Sequence, residues 1–289
     1  MVTERRAWVT VVTTDSYVKG ALVLAYGLAS TGSKHPFVIL HTGKLLPASV
    51  AELESIPDIA VHVRQVFPIH PLSSQDKALA FAHLNEAWAK FRVWELTEFD
   101  KICFLDADML VVKNMDDVFD LLPEDKRIAA APTCTCNPGK YSHFPKAWIP
   151  SSCQHTYTDG KLAERPSLRT FNSGLFVTRP SKAAAQKIIE YFHSRENLSN
   201  YPFADQCLLN ELYPDWHLFS YEYNALKTMS IAHEVTWKSG TVKNVHYLLS
   251  PKPWDMDPNA DSKEDKYHEL HKIWFDAEKA RVARLMSPK

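Results

Sequence analysis

Neither sign of charge is in excess in this 289-residue chain, where 33 Lys plus Arg stand against 34 Asp plus Glu. That balance excludes a global basic field for nucleic acid and an acidic interaction tail. No apolar run reaches the length of a membrane span. The opening residues, MVTERRAWVTVVTT, carry early charges and a short apolar run broken by threonine, which fits a first strand and not a secretory signal. Cysteine is sparse: Cys103, Cys134, Cys136, Cys153 and Cys207 are odd in number and scattered. Without a secretory signal they are expected to be free thiols in a reducing compartment, and the expected location is cytoplasmic. Cys134, Cys136 and Cys153 share one loop, yet their spacing matches no standard zinc pattern. Internal repeats and clean linkers are also missing, which leaves a single domain, 1–289.

What is present is an alternation of strands and helices. Strands are expected over 7–14, 37–42, 59–66, 101–112, 127–132, 170–181 and 242–248. Helices are expected over 17–29, 47–56, 182–193 and 205–212, with a long amphipathic one over 78–99 and a terminal one over 262–286. This order predicts an α/β fold built on a Rossmann-like, mostly parallel sheet. Ligands of such sheets bind beyond the carboxyl ends of the strands. The segment 133–168 breaks the rhythm with Pro, Ser, Thr and Cys, and its Tyr141, Phe144, Trp148 and Tyr157 favour an ordered, functional loop.

The run KICFLDADMLVV, from Lys101, sets two carboxylates just past a core-forming strand. Buried charge is costly unless paired or bound to metal. On extended chain, Asp106 and Asp108 point to one side while Ala107 turns away. Such a pair suits a hard divalent cation, Mg²⁺ or Mn²⁺, which completes its shell with substrate phosphates. The alternatives are two solvated acids that end a strand, or the phosphorylated aspartate of a phosphatase. The phosphatase pattern belongs on a first strand and continues differently. HELH, 268–271, lies on the polar terminal helix and is expected to be surface.

Further motifs accompany the acidic pair: VTVVTTDSYVKGALVLAYGL from Val9, AKFRVWELTEFDKICFLDADMLVV from Ala89, FNSGLFV from Phe171, FADQCLLN from Phe203 and VHYLLSPKPW from Val245. Together they resemble the retaining nucleotide-sugar glycosyltransferases of the glycogenin and galactinol synthase family, from Trp8 to about Trp254. The resemblance implies a GT-A fold and a UDP-hexose donor. It implies that Thr13, Asp15 and Tyr17 touch uracil and ribose. Asp106, Ala107 and Asp108 would line the donor, with Asp106, Asp108 and His246 holding Mn²⁺ or Mg²⁺. Lys252 and Lys90 would meet the charge that grows on the departing diphosphate. Asn172, Ser173 and Gly174, with Asp205 and Gln206, would face the sugar and fix its anomeric carbon near the acceptor. Retention implies front-side displacement, with the leaving phosphate helping to take the acceptor proton; Asp205 as a transient nucleophile is the other route. Plainer roles compete at single positions: a helix N-cap for Asp205, a solvated face for Lys90, a packed core for His246.

Two departures qualify the resemblance. Past Asn224 no tyrosine occurs until Tyr247, so the self-glucosylation of glycogenin has no acceptor at its familiar place. The late motif carries Leu248, Leu249, Ser250 and Pro251 where the family commonly has glycine for close phosphate approach. The insertion CTCNPGKYSHFPKAWIPSSCQ resembles that of galactinol synthases, which implies a small polyol or sugar acceptor, myo-inositol among them. The alternatives are a glycogenin-like enzyme acting on protein or glucan, and a nucleotide-sugar binding protein with weak hydrolysis. Dimers are common in the family, and the sequence carries no interface signature.

Overall fold

The structure is a computed structural model that describes residues 4–72, 75, 82–142, 144–158, 161–162, 168–259 and 265–286. The strands, in chain order, are β1 Arg6–Val12, β2 Phe37–His41, β3 Val61–Gln65, β4 Lys101–Leu105, β5 Met109–Val111 and β6 Ile128–Pro132. They continue with β7 Tyr157–Thr158, β8 Lys161–Leu162, β9 Phe171–Thr178, β10 His217–Leu218, β11 Ala225–Leu226 and β12 Asn244–His246. The α-helices are α1 Val18–Ser30, α2 Pro47–Glu54, α3 Lys182–His193, α4 Asp205–Leu212, α5 Met229–Ala232 and α6 His268–Met286.

Seven strands form the main sheet in the order β10-β6-β9-β4-β1-β2-β3. Pairings are parallel except those of β9, which runs antiparallel to both β4 and β6. The expected α/β, mostly parallel sheet is therefore found. Alternation along β1 feeds both layers: Trp8 packs toward α1 and Phe119, while Ala7 and Val9 pack toward Trp88, Phe91 and α3. Strands β2, β4, β6 and β9 are buried along their whole length, as expected of strands covered on both faces. A second sheet, β11-β12-β5, stands beside the first.

Three expectations need correction. The run from Lys101 is not one strand. β4 ends at Leu105, residues 106–108 turn, and β5 begins the second sheet at Met109. Two carboxylates cannot continue a strand sealed on both faces, so the chain leaves the main sheet where they occur. The amphipathic segment is a 3₁₀ helix, Ala82–Glu95, and residues 78–81 lie outside the described ones. Its spacing explains this. Trp88, Phe91 and Trp94 recur every third residue at 1% exposure or less, and a 3₁₀ helix eclipses residues i and i+3. The terminal helix begins at His268, and within it His271 is buried with Nδ1 2.7 Å from Asp265 Oδ2, so HELH is only partly surface.

Helix α1 approaches the turn closely. A Cβ on Gly20 would lie 2.4 Å from the Ala107 carbonyl oxygen and 2.8 Å from the Trp254 ring. Gly20→Ala is therefore expected to destabilise by about 1–3 kcal/mol through overpacking, against the roughly 1 kcal/mol that alanine gains in a free helix. Thermal unfolding tests this; a variant at least as stable as the parent would mean that the contact yields.

Candidate functional site

Topology assembles the site. Because β9 is antiparallel to β4, its first residues lie at the carboxyl end of β4, with Leu175 opposite Leu105. The Asp106 amide donates to Gly174 O at 2.8 Å. Asn172, Ser173 and Gly174 thus meet the acidic turn from one side. Strand β12 meets it from the other, with His246 opposite Met109 and the Tyr247 amide donating to Asp108 O at 2.8 Å. Helix α4 is clamped to β9 by Asn210, whose side chain accepts from Phe171 N at 2.8 Å and donates to Phe171 O at 3.0 Å. Just before it, Ala204 holds φ 43 and ψ −116, a conformation that costs a residue with a Cβ about 1–3 kcal/mol. That strain sits beside Asp205, the first residue of α4.

The polar side chains form one connected network. His246 Nε2 is 3.3 Å from Asp108 Oδ1 and 3.8 Å from Asp106 Oδ2. Its Nδ1 lies 3.0 Å from Asn224 Oδ1. Asn224 Nδ2 donates to Asn172 Oδ1 at 2.9 Å, and Asn172 Nδ2 donates to Gln206 Oε1 at 2.9 Å. Ser173 Oγ donates to Asp205 Oδ2 at 2.8 Å. Lys90 Nζ bridges Asp205 Oδ2 at 2.7 Å and Asp106 Oδ1 at 3.2 Å. Lys252 Nζ is bonded to Asp108 Oδ2 and, at 3.0 Å, to Tyr247 O. Tyr17 stands edge-on to Trp254 at 5.4 Å, with Lys252 Nζ 5.8 Å from its ring.

Three carboxylates and two lysines thus share a small volume. Burial opposes the charge on Asp108, but Lys252 and His246 outweigh it and hold the carboxyl far below its ordinary range. Asp106 moves the other way, because burial and the Asp108 charge outweigh the pull of Lys90. Both lysines stay protonated above their ordinary range: burial works against Lys90, but Asp106 and Asp205 hold its charge, and Asp108 does the same for Lys252. Lys227, buried beside the network with Nζ donating to Pro251 O at 3.0 Å, is different. Burial, and then the charge of Lys252, lower it to about 8.

Most of the residues expected from the sequence converge here: Asp106, Asp108, His246, Lys90, Lys252, Asn172, Ser173, Gly174, Asp205, Gln206 and Tyr17. Ala107 contributes its backbone, packed on Gly20. Thr13 lies just past β1, half-buried. Asp15 is exposed and accepts from Leu46 N at 3.0 Å and from Ser49 Oγ, which ties the end of β1 to the start of α2. Two members escaped sequence reasoning, Asn224 and Lys227. The YEYN segment held the signal for the first; a lone lysine outside any motif offers none. At Leu249 the backbone takes φ 64, so a leucine adopts the left-handed turn that glycine commonly supplies.

The insertion closes the open side. Trp148 stacks on Phe203 at 4.5 Å, and Phe144 meets the same ring edge-on at 5.0 Å. Beneath them lies a cavity of about 110 Å³ lined by Asn172, Gln206, Tyr141, Thr228 and Leu249 among others. At about 30 Å³ per liquid water it has room for roughly four waters.

Comparison with known proteins agrees with this geometry. The profile described as glycosyl transferase family 8 matches residues 8–257. Galactinol synthase 3 of Arabidopsis thaliana is 32% identical over 261 residues, spanning 87% of this chain and 74% of its own. UDP-glucuronate:xylan alpha-glucuronosyltransferase 2 of the same plant is 29% identical over 276 residues, which are 89% of this chain and 38% of that protein. Among solved structures, the galactosyltransferase LgtC, in complex with donor and acceptor sugar analogs, aligns with a TM-score of 0.61 over 95% of both chains at 16% identity. GlyE of Streptococcus pneumoniae aligns with a TM-score of 0.62 over 96% of this chain and 60% of its own, also at 16% identity. At that identity the likeness establishes the GT-A fold alone.

Proposed function

The chain belongs to glycosyl transferase family 8, and from that premise we propose that it moves glucose or galactose from a UDP-hexose to a small hydroxyl acceptor, with retention and with a divalent cation. The observation that carries this reading is the Asp106–Asp108–His246 triangle, flanked by Lys90 and Lys252 and joined through Asn224 to Asn172 and Gln206, which line the aromatic-walled cavity. Two carboxylate oxygens and one imidazole nitrogen within 4.8 Å of one another suit Mn²⁺, or Mg²⁺, by donor chemistry. Gly174 keeps the space clear, since a Cβ there would lie 2.4 Å from His246 Cε1 and 2.8 Å from Asp106 Oδ2. When bound, the cation supplies Lewis-acid stabilisation of the departing diphosphate.

The chain's own residues do the rest. Lys252 and Lys90 hold fixed positive charge where negative charge grows. Asn172 and Gln206 orient sugar hydroxyls and set the anomeric carbon toward the insertion cavity. Asp205 Oδ2 is already held by Lys90 and Ser173, which suits a positioning role better than that of a nucleophile. The leaving phosphate then takes the acceptor proton. The test is calorimetric binding of UDP, UDP-glucose and UDP-galactose with Mn²⁺ and with chelator, followed by turnover with myo-inositol and other polyols. Metal-dependent binding is expected; no binding in either condition returns the acidic pair to a structural role.

Self-glucosylation has no acceptor at the place familiar from glycogenin. Tyr247 is fully buried and its hydroxyl donates to Leu270 O at 2.8 Å. Intact mass after incubation with either UDP-sugar and Mn²⁺ is expected to stay constant. Addition of whole hexose units would restore self-modification.

Lys227 gives the reading a pH signature. In the free protein it loses its proton near pH 8. A diphosphate against it favours the ammonium form, so binding above pH 8 takes up a proton and weakens by up to about tenfold per pH unit. Calorimetry of UDP at pH 9 in two buffers of different ionisation enthalpy is expected to show that uptake, and Lys227→Met to abolish it. Equal heats for the parent protein in both buffers would place Lys227 outside the donor site.

A further inference from the structure

The insertion carries a second cluster that the transferase chemistry does not use. Cys134, Cys136 and Cys153 converge on one atom, His233 Nε2, at 3.3, 3.3 and 3.4 Å. All four donor atoms lie within 4.8 Å of one another, and the residues are at most 8% exposed. We propose that these four side chains form a closed, tetrahedral site for zinc that fastens the insertion to the body of the protein.

Geometry supports the assignment. With Zn–S near 2.3 Å and Zn–N near 2.0–2.1 Å, a tetrahedron sets sulfur and nitrogen about 3.5 Å apart. The observed spacings of 3.3 to 3.4 Å sit just inside that. Ordinary packing would not place three thiols around one imidazole nitrogen. The donor set also selects the metal: thiolates favour zinc over Mg²⁺ or Mn²⁺, and the cluster holds no carboxylate. Four protein ligands leave no open position, which marks a structural centre and not a catalytic one. His155, whose ring lies 5.6 Å from that of His233, gives its Nε2 to Pro132 O at 3.0 Å and is not a fifth ligand. Leu226, Met229, Ala232, Trp237 and Leu248 pack around the cluster and keep water out.

The position gives the site a purpose. His233 follows α5, whereas the cysteines stand 80 to 99 residues earlier, so the metal joins two distant segments. Cys134 itself lines the aromatic-walled cavity, together with Thr228 and Leu248. The ion therefore fixes one wall of that cavity against the other. This inference does not rest on the transferase reading, because the site stands or falls on its metal alone.

The experiment is elemental analysis of the whole chain, purified with reductant and dialysed against EDTA. About one zinc per chain is expected to remain, and likewise in Asp108→Asn, whose change lies in the other cluster. His233→Ala and Cys153→Ser are expected to lose it, while His233→Cys and Cys207→Ser keep it. Should the first two variants fail to fold, protein produced with Co²⁺ provides the second readout. It is expected to show the intense visible bands and near-ultraviolet thiolate band of tetrahedral, thiolate-rich cobalt. Protein free of zinc that takes up neither Zn²⁺ nor Co²⁺ would overturn the proposal. So would a disulfide among the three cysteines under reductant, or zinc that leaves with the Asp108 change.

Discussion

Replacing Asp108 by asparagine is expected to lower turnover by at least about a hundredfold while the fold persists. Asp108 is shared between two partners, bonded to Lys252 through Oδ2 and 3.3 Å from His246 through Oδ1. Asparagine keeps an acceptor for the lysine but gives up the charge a cation needs. Alanine is the poorer test, because it strands a buried ammonium, and breaking a buried pair from one side costs about 3–5 kcal/mol. Steady-state rates at saturating Mn²⁺, paired with thermal unfolding, separate the two effects. Retained turnover with ordinary metal dependence would remove Asp108 from the metal site.

Lys252→Met is expected to lower kcat by about 10²–10³-fold, the usual loss when a preorganised charge at a developing anion is removed. In the structure this ammonium is occupied by Asp108 and by Tyr247 O. Were Asp108 to hold a cation, this ammonium would be the group placed to meet the diphosphate. UDP affinity is expected to fall along with kcat, and Lys252→Arg to recover part of both. An unchanged rate in Lys252→Met would show that the KPW segment has another role.

The fold was legible in the sequence where burial leaves one solution. The apolar runs of β2, β4 and β9 and the helices α3 and α4 fall where periodicity places them. The 3₁₀ segment was not, since Trp88, Phe91 and Trp94 fit a 3.0-residue turn and also sit on an α-helical stripe. The acidic turn was half legible. Both carboxylates do converge on His246, but through a passage from one sheet to the other and not by alternation along a strand. The convergence of Asp106, Asp108, His246, Lys90, Lys252, Asn172 and Asp205 was legible because motifs tie each lone His, Lys or Asp to its neighbours in sequence. Lys227 has no such neighbours. Nor does the cysteine cluster: its spacing looked meaningless because the fourth ligand, His233, lies 80 residues past the nearest cysteine.

That long reach bears on how such enzymes are rebuilt. A loop that roofs an acceptor pocket invites exchange as one contiguous cassette to change acceptor choice. Here the cassette is discontinuous. A transplant of 133–158 alone would bring three thiols to a host without their imidazole, and a host histidine retained without the loop would face a void. The unit of exchange is 133–158 together with 226–248, inherited or engineered as a pair. The wall built by the insertion can then change while the acidic turn, set by β1, β4 and β9, stays as it is.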